Sequence, residues 1–147
     1  MRLLLQRVKK AEVSVEGQVP RSIEKGILVF LGIHKLDTAS SIDYLVSKLV
    51  NLRIFSDEKG KMNLSCLDSK GSILVVSQFT LYGDCSEGRR PSFFSAAGAL
   101  HAEPLYEEFL LKLRAYPLTV VSGFFGADMQ VSLVNDGPVT LLLESGG

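Results

Sequence analysis

The segment from Ser72 to Leu81 carries the strongest β-strand signal in the chain, and it constrains the fold more than any other feature. Four branched apolar residues stand in succession from Ile73 to Val76, which is typical of a buried strand. The run Gly26–Gly32 is equally apolar and is bounded by glycines, which indicates a strand buried on both faces. The chain is therefore expected to build its core on a β-sheet.

Further strands are predicted near both ends of the chain. An apolar stretch covers residues 3–8, and residues 11–16 alternate with period two, as a half-buried strand does. Gly17-Gln18 follows as a plausible hairpin turn. Two final strands are expected at about residues 129–134 and 139–143, on either side of the polar segment 135–138.

Two helices are predicted between these strands. Asp37 or Thr38 is positioned to cap the first helix. The second is expected at about Glu103 to Leu113, with apolar residues on one face. Between the helices, residues 53–55 precede a turn at 57–60. The apolar residues at helical spacing in the first helix are Ile42, Leu45, Val46, Leu49 and Val50.

This order predicts an α+β fold in one domain that spans residues 1–147. The elements are mostly β, the two helices are inserted separately, and the order is not an alternating β-α-β pattern. Short strands joined by tight turns favour a mostly antiparallel, barrel-like sheet with the two helices packed outside. No linker or repeat divides the chain, and 147 residues suit one domain.

The composition limits the partners. Hydrophobic residues make up 46% of the chain, and the 16 basic residues balance 16 acidic ones, so an RNA partner would be held by a local patch or weakly. No apolar run approaches the ~18 residues that a membrane helix needs. The start of the chain lacks the apolar stretch of a signal peptide. We therefore expect a cytoplasmic protein that does not bind membranes.

The usual hydrolytic machineries find no support in the sequence. The two histidines, His34 and His101, are expected to be surface or capping residues, and Ser77 is not in a GxSxG elbow. Cys66 and Cys85 lie 19 residues apart without a CxxC motif, which favours neither a zinc site nor a disulfide. No glycine-rich nucleotide motif is present. We expect no metal and no cofactor.

Three polar segments remain as candidates for function. Ser77-Gln78-Phe79-Thr80 crowds the exit of the buried strand, where its side chains either form ordinary strand-end hydrogen bonds or face a cleft. The segment 135–140 is either a simple Asp-Gly hairpin turn or a more specialised backbone structure. The second alternative is open because a proline follows the glycine. Arg89-Arg90 belongs to a solvated charged loop or grips phosphates.

These segments together closely resemble the D-aminoacyl-tRNA deacylase family over essentially the whole chain. The residues that carry the resemblance are Met1-Arg2, Gln6-Arg7-Val8, Ser77 to Gly83 (SQFTLYG), Gly88 to Phe93 (GRRPSF), Gly123 to Met129 (GFFGADM) and Asn135 to Thr140 (NDGPVT). SQFTL or NDGPVT alone is a modest signal, whereas both at this separation are highly specific.

The resemblance implies a homodimeric enzyme that cleaves the ester joining D-amino acids, or glycine, to the 3′-terminal adenosine of tRNA. It implies that Gly137-Pro138 is a cis peptide reaching into the partner subunit's pocket. Its backbone would hold the substrate ammonium and leave no room for an L side chain. Glycine has no side chain to exclude, so glycyl-tRNA should also be cleaved.

The same resemblance assigns roles to the remaining residues. Ser77, Gln78 and Phe79 would line the other side of the pocket, with Phe79 near the adenine or ribose unless it belongs to the core. Backbone N–H groups near Phe79 and Thr80 would stabilise the oxyanion. Thr80 is not expected to be an indispensable nucleophile, since the ribose 2′-hydroxyl can assist. Gln6 and Arg7 would brace the Gly-Pro unit across the dimer, and Asn135 and Asp136 would support the same motif. Met129 would line the substrate pocket, although it is equally well a core residue.

Two other classes of function remain open on the residues alone. One is a non-catalytic RNA-binding module, which the neutral net charge disfavours. The other is a metabolic hydrolase of small esters or D-amino-acid derivatives, which the lack of a triad or metal motif disfavours. Hydrolysis that depends on tRNA distinguishes the deacylase from both.

Overall fold

The computed structural model describes residues 1–145. The strands are β1 (Arg2–Ser14), β2 (Arg21–Ile23), β3 (Gly26–Gly32), β4 (Phe55–Ser56), β5 (Met62–Leu64), β6 (Ser72–Ser77), β7 (Thr119–Ser122) and β8 (Gln130–Glu144). The helices are α1 (Ile42–Asn51), α2 (Cys66–Ser69) and α3 (Ala99–Arg114), with 3-10 turns at Ala39–Ser41 and Phe79–Tyr82. None of these helices has both the length and the apolar character needed to cross a membrane.

One strongly curved sheet organises the molecule, and β1 pairs with more strands of this sheet than any other strand does. β1 pairs antiparallel with β2, β3 and β8, while β3 pairs with β6 and β6 pairs with β7 in parallel. The predicted barrel-like sheet with helices outside is confirmed. The sheet is mixed, however, because two of its five pairings are parallel.

The parallel pairs show that a sheet expected to be mostly antiparallel contains two β-α-β crossovers. The segment containing α1 crosses from β3 to β6, and α3 crosses from β6 to β7. Parallel neighbours require such crossovers, usually helical. The sequence pattern does not reveal these crossovers, because β7 has only four residues and gives a weak strand signal. Without β7, α3 cannot be recognised as lying between two strands of one sheet.

The sheet separates two hydrophobic clusters. The cluster under the helices is built mainly from Leu3, Leu5, Ile27, Val29, Leu31, Ile73, Val75, Leu45, Leu49, Phe109 and Leu113. The cluster inside the barrel comprises Val8, Ala11, Val13, Ile23, Leu28, Leu74 and Val76. Neighbouring residues of β3 and β6 belong to different clusters, as the alternation of side chains in strands requires. Both strands are therefore buried on both faces, as predicted for Gly26–Gly32.

The helix predictions hold in the interior of each helix, but the starts differ. Thr38 caps the 3-10 turn Ala39–Ser41, and α1 begins after this turn. All five apolar residues predicted to line α1 are buried. α3 begins at Ala99 rather than near Glu103, and it continues through Pro104. Proline removes the N–H that would bond to the Leu100 carbonyl, and Leu100 is 98% exposed, so water can solvate this carbonyl.

The strand boundaries differ more from expectation. β1 is one strand from Arg2 to Ser14 rather than two, and β8 is likewise continuous. β6 stops at Ser77 instead of reaching Leu81, because the chain turns into a 3-10 turn. The predicted turn at Gly17-Gln18 is present: Gln18 N–H donates to the Val15 carbonyl, and Gly17 has φ of 80°.

We predict that Gly26→Ala destabilises the protein severely. A Cβ at Gly26 would lie 1.8 Å from the Ser72 carbonyl oxygen, so β3 and β6 would have to separate. Overpacking against a rigid backbone should cost at least ~3 kcal/mol of the free energy of unfolding. Denaturant unfolding measures this loss, with Gly98→Ala as the control, because a Cβ at Gly98 meets nothing within 4 Å. Equal stability of the two variants would contradict the prediction.

Candidate active site

A cavity of about 560 Å³ opens where the parallel strands β3 and β6 end. Leu31 and Ser77 are register partners at this edge, and the start of α3 and the β7–β8 loop complete the walls. The lining residues are Leu31, Ile33, Val76, Ser77, Gln78, Phe79, Ala97, Ala99, Ala102, Phe125, Gly126, Ala127, Asp128, Met129 and Val131. The volume lies within the usual range for small-molecule sites.

Ser77, Gln78 and Phe79 form one rim of this cavity, and Thr80 follows directly outside its lining. The Gln78 N–H donates to the Leu31 carbonyl at 2.8 Å, which ends the β6 ladder, and the chain then enters the 3-10 turn. Within residues 1–145, the N–H groups of Phe79 and Thr80 donate no hydrogen bond. They are the free donors expected at the start of a helical turn. The rim therefore presents two adjacent backbone donors.

Contacts on its far side hold this 3-10 turn in place. Arg2 donates from Nη1 to the Leu81 carbonyl at 2.8 Å, and its guanidinium lies 4.5 Å from the centre of the Tyr82 ring. A Cβ at Gly32 would lie 3.1 Å from the Gln78 carbonyl oxygen, so the glycine permits the close approach. Burial, together with Asp37, raises the pKa of Tyr82 to about 12, so the phenol stays neutral at physiological pH.

The side chains of the rim do not form a nucleophile–base pair. Gln78 Nε2 donates to Thr80 Oγ1, and Thr80 is exposed and lies outside the cavity lining. His34 Nδ1 accepts from the Leu36 N–H at 3.0 Å, and His101 Nε2 donates to the Asp37 carbonyl at 2.7 Å. Both histidines thus stabilise local structure, as expected, and neither lines the cavity.

The β7–β8 loop forms the opposite wall. Met129 lines the cavity, and its Sδ lies 3.4 Å from the Phe124 nitrogen, so its side chain supports the loop as well. Asp128 is the one charged residue among the lining residues of the described chain. It stands in the motif GFFGADM, but sequence reasoning gave it no role.

The segment Asn135–Thr140 is not a hairpin turn. β8 continues through it and pairs with β1 on both sides, so that Arg7 alone faces the four residues 136–139. The segment is therefore an enlarged β-bulge, with three more residues on β8 than on β1. The Gly137-Pro138 peptide is cis, and both residues are exposed.

This bulge lies away from the cavity of its own chain. Neither Gly137 nor Pro138 lines that cavity. Met129, which does, is separated from Asn135 by about 20 Å of extended strand at the usual rise per residue. The sequence-predicted residues therefore fall into two groups: Ser77, Gln78, Phe79 and Met129 at the cavity, and the residues of the bulge with their supports.

Arg7 is the principal support of the bulge. It is 8% exposed; its Nε donates to the Asp136 carbonyl at 2.8 Å, and its Nη1 donates to the Ile54 carbonyl at 2.6 Å. The Asp136 carboxylate lies 3.7 Å from Nε. Gln6 Nε2 is 3.5 Å from Thr140 Oγ1, at the outer limit for a hydrogen bond.

Sequence reasoning missed most of the apolar wall of the cavity. Ala97, Ala99 and Ala102 line it from the start of α3, and Phe125 lines it from the β7–β8 loop. Alanine at a helix start is an ordinary helix former and carries no signal of its own. Only the fold shows that these small side chains leave an open volume.

Comparison with known proteins identifies the chain's relatives. The family model for D-Tyr-tRNA(Tyr) deacylase matches residues 4–144. A D-aminoacyl-tRNA deacylase of Thermosipho africanus is 59% identical over 145 residues, covering 99% of this chain and 97% of the relative. One of Brevibacillus brevis is 54% identical and covers 99% and 100%.

Solved structures agree with this fold. A protein described as a c-Myc DNA unwinding element binding protein superposes with a TM-score of 0.93, at 44% identity and full coverage of both chains. A probable eukaryotic D-amino acid tRNA deacylase, 19% identical, has a TM-score of 0.84 over 97% of each chain and shares the fold. The chain therefore belongs to the D-Tyr-tRNA(Tyr) deacylase family, and it is an enzyme that hydrolyses the ester bond of D-aminoacyl-tRNA.

Proposed function

We propose that this enzyme removes D-amino acids and glycine from tRNA in the cytoplasm as translation quality control, and that it rejects L-aminoacyl-tRNA by means of a second copy of the chain. The observation that carries the proposal is the pair of free N–H groups of Phe79 and Thr80 at the rim of an otherwise mainly apolar cavity. This arrangement suits an ester whose carbonyl oxygen gains negative charge during hydrolysis.

The terminal adenosine occupies the apolar part of the cavity. Ala97, Ala99 and Ala102 leave room for a flat base, and Phe79, which is 54% exposed, offers its ring at the rim. Ser77 and Gln78 supply polar groups on the same side as the oxyanion donors. The aminoacyl ester is thereby held at the mouth, next to the free N–H groups.

Hydrolysis proceeds without a side-chain nucleophile. The Thr80 hydroxyl accepts a hydrogen bond from Gln78, and none of the described residues near it is placed to take its proton. Water attacks the ester carbon with help from the adjacent ribose 2′-hydroxyl, and the two N–H groups stabilise the oxyanion. The chemistry therefore depends mainly on backbone groups and on the substrate.

Chiral rejection requires a second copy of the chain. Gly137 and Pro138 are exposed and remote from their own cavity, so they are available to a partner's cavity. Within the described residues β8 pairs with β1 alone, and its exposed residues include Leu141 and Leu142, at 39% and 53%. A long apolar edge strand of this kind favours association. We infer a homodimer in which each bulge closes the partner's cavity against L side chains.

Thr80→Ala is expected to retain most of the wild-type kcat. The hydroxyl is neither activated nor part of the cavity lining, whereas loss of a true hydroxyl nucleophile costs roughly 10⁶-fold in a serine protease. Single-turnover deacylation of D-tyrosyl-tRNA measures the effect. A complete loss of activity in a folded variant that still binds tRNA would make Thr80 the nucleophile.

Arg7→Lys is expected to destabilise the protein by ~1–3 kcal/mol and to lower deacylase activity. A lysine ammonium cannot reproduce the guanidinium fork that serves the Ile54 and Asp136 carbonyls, so a buried acceptor loses its partner. Denaturant unfolding and kcat/KM on D-tyrosyl-tRNA measure the two effects. Arg53→Lys, at an exposed position, is the matched control. Wild-type behaviour of the Arg7 variant would refute the bracing role.

The decisive experiment compares D-tyrosyl-, glycyl- and L-tyrosyl-tRNA as substrates of the wild type and of Gly137→Ala. The wild type is expected to cleave the first two and spare the third. The alanine Cβ would lie 3.0 Å from Val139 and 3.1 Å from Arg7 Nη2, at φ of 132°. The displaced bulge should therefore lower kcat/KM on the cleaved substrates about a hundredfold.

Gly60→Ala is the matched control, since Gly60 also has positive φ (79°) but a Cβ there meets nothing within 4 Å. Equal cleavage of the L-ester by the wild type would refute the chiral proposal. A folded dimer that binds tRNA and cleaves none of the three would favour the RNA-binding module. Cleavage of small esters independent of tRNA would favour the metabolic hydrolase.

A further inference from the structure

An exposed aromatic and cationic surface lies beside the mouth of the cavity and has no part in the mechanism above. We call Lys35, Phe93 and Phe94 the mouth patch. Phe94 is 79% exposed and Phe93 is 38% exposed. Large aromatic side chains are normally among the better-buried residues, so two consecutive exposed rings mark a surface for a ligand or partner.

The backbone beneath the patch is held firmly. The Lys35 N–H donates to the Ser95 carbonyl at 2.9 Å, and the Ala97 N–H donates to the Ile33 carbonyl at 2.9 Å. Residues 95–97 therefore run antiparallel to residues 33–35, beyond the end of β3. The preceding turn, which carries Phe93 and Phe94, is closed by a hydrogen bond from the Ala96 N–H to the Phe93 carbonyl at 3.1 Å. The rings are presented from a fixed position rather than from a loose loop.

The patch is continuous with the cavity. The Phe93 ring packs edge-to-face on the Phe79 ring, with 5.2 Å between centroids, and Phe79 lines the cavity. Ile33 and Ala97, whose backbones are bonded together under the patch, line it as well. A substrate strand that leaves the cavity past Phe79 therefore meets Phe93, and Phe94 is the next residue of the same turn.

The chemistry of the patch suits single-stranded nucleic acid. The Lys35 ammonium lies 3.2 Å from the centre of the Phe94 ring, on one face of it. Because the ring remains 79% exposed, its other face is open for a base to stack. Aromatic rings beside cations are the usual elements of single-strand binding.

Charges in the neighbouring loop add to this character. The loop is closed by paired hydrogen bonds between Asp84 and Ser92, and it carries Arg89 and Arg90 near its tip. The Asp84 carboxylate accepts from the Ser86 N–H, and Glu87 is exposed. With Lys35, the three cations exceed the two acids of the loop, while the one charged residue of the cavity lining, Asp128, is acidic. A chain with zero net charge thus has a local excess of cations in the loop and the mouth patch, outside the cavity itself.

We propose that the mouth patch binds the unpaired nucleotides that precede the terminal adenosine of the tRNA substrate. One base stacks on Phe94, and Lys35 with the arginines of the loop contacts the phosphates. This rests on the proposed function: if the terminal adenosine occupies the cavity, the preceding nucleotides must leave through its mouth. The patch would then make the enzyme prefer tRNA over a free aminoacyl nucleoside.

The test compares two substrates that share the reactive ester: D-tyrosyl-tRNA and 3′-D-tyrosyl-adenosine, which lacks the preceding nucleotides. The measured quantity is the ratio of kcat/KM on the long substrate to that on the short one. Phe94→Ala should lower this ratio about tenfold, within the range for removal of one aromatic stacking partner. Lys35→Gln should reduce the salt dependence of the long substrate's kcat/KM by roughly 0.7 in log–log slope per phosphate lost.

The matched control lies on α1, where Tyr44 is 57% exposed and Lys48 is exposed one turn further on, both outside the cavity lining. Tyr44→Ala and Lys48→Gln should leave the ratio and the salt dependence unchanged. An unchanged ratio in Phe94→Ala, or an equal loss on both substrates, would overturn the proposal for the patch. A change of oligomeric state in Phe94→Ala with an unchanged ratio would instead make the patch an interface between copies.

Failure of the proposed function gives a different result. If the unaltered enzyme cleaves neither the long nor the short D-tyrosyl ester, the proposed function falls, and the patch proposal falls with it. If the unaltered enzyme cleaves both and the variants do not change the ratio, only the patch proposal falls.

Discussion

Gly26 lies so close to Ser72 that no side chain fits between their backbones. This contact starts the parallel pairing of β3 with β6, which ends at the pair Leu31 and Ser77. Because the strands are parallel, both end at the same edge of the sheet. The crossover through α3 begins at that edge, and alanines of its first turn cover the gap. The cavity thus follows from one pairing: an antiparallel arrangement of the same strands would send their carboxyl ends to opposite edges.

The end of β6 supplies the backbone groups to which we assign stabilisation of the oxyanion. After the Gln78 N–H has bonded to β3, the chain must turn, and a 3-10 turn leaves its first N–H groups without intrahelical partners. In the middle of a sheet such donors would be a defect. Beside a cavity, such fixed donors would stabilise developing negative charge without reorganisation, as the proposed mechanism requires. The site therefore depends on backbone geometry more than on reactive side chains.

In the proposed mechanism, the remaining specificity comes from a second copy of the chain. β8 carries its bulge well away from the cavity lining, and the buried guanidinium of Arg7 connects the Asp136 carbonyl of the bulge to the Ile54 carbonyl. In the proposed homodimer, the exposed bulge of each chain would meet the open cavity of the other. The mouth patch extends the same cavity in another direction, toward the rest of a long substrate. In both proposals, a small cavity gains selectivity from surfaces outside it.

Local patterns in the sequence were sufficient for β3, for the interior of α1 and for the polar cluster at the end of β6, because burial leaves a period of 2 or 3.6 residues in a short window. The motifs SQFTL and NDGPVT were sufficient for the family. The parallel direction of β3 and β6, the continuity of β8 through Asn135–Thr140, and the alanine wall were decided only by tertiary structure. Strand direction and strand continuity depend on partners far along the chain, and alanine looks the same in sequence whether it fills a core or borders a cavity. The sequence by itself thus determined which residues are buried and to which family the chain belongs, whereas long-range packing decided which ends meet and where the open volume lies.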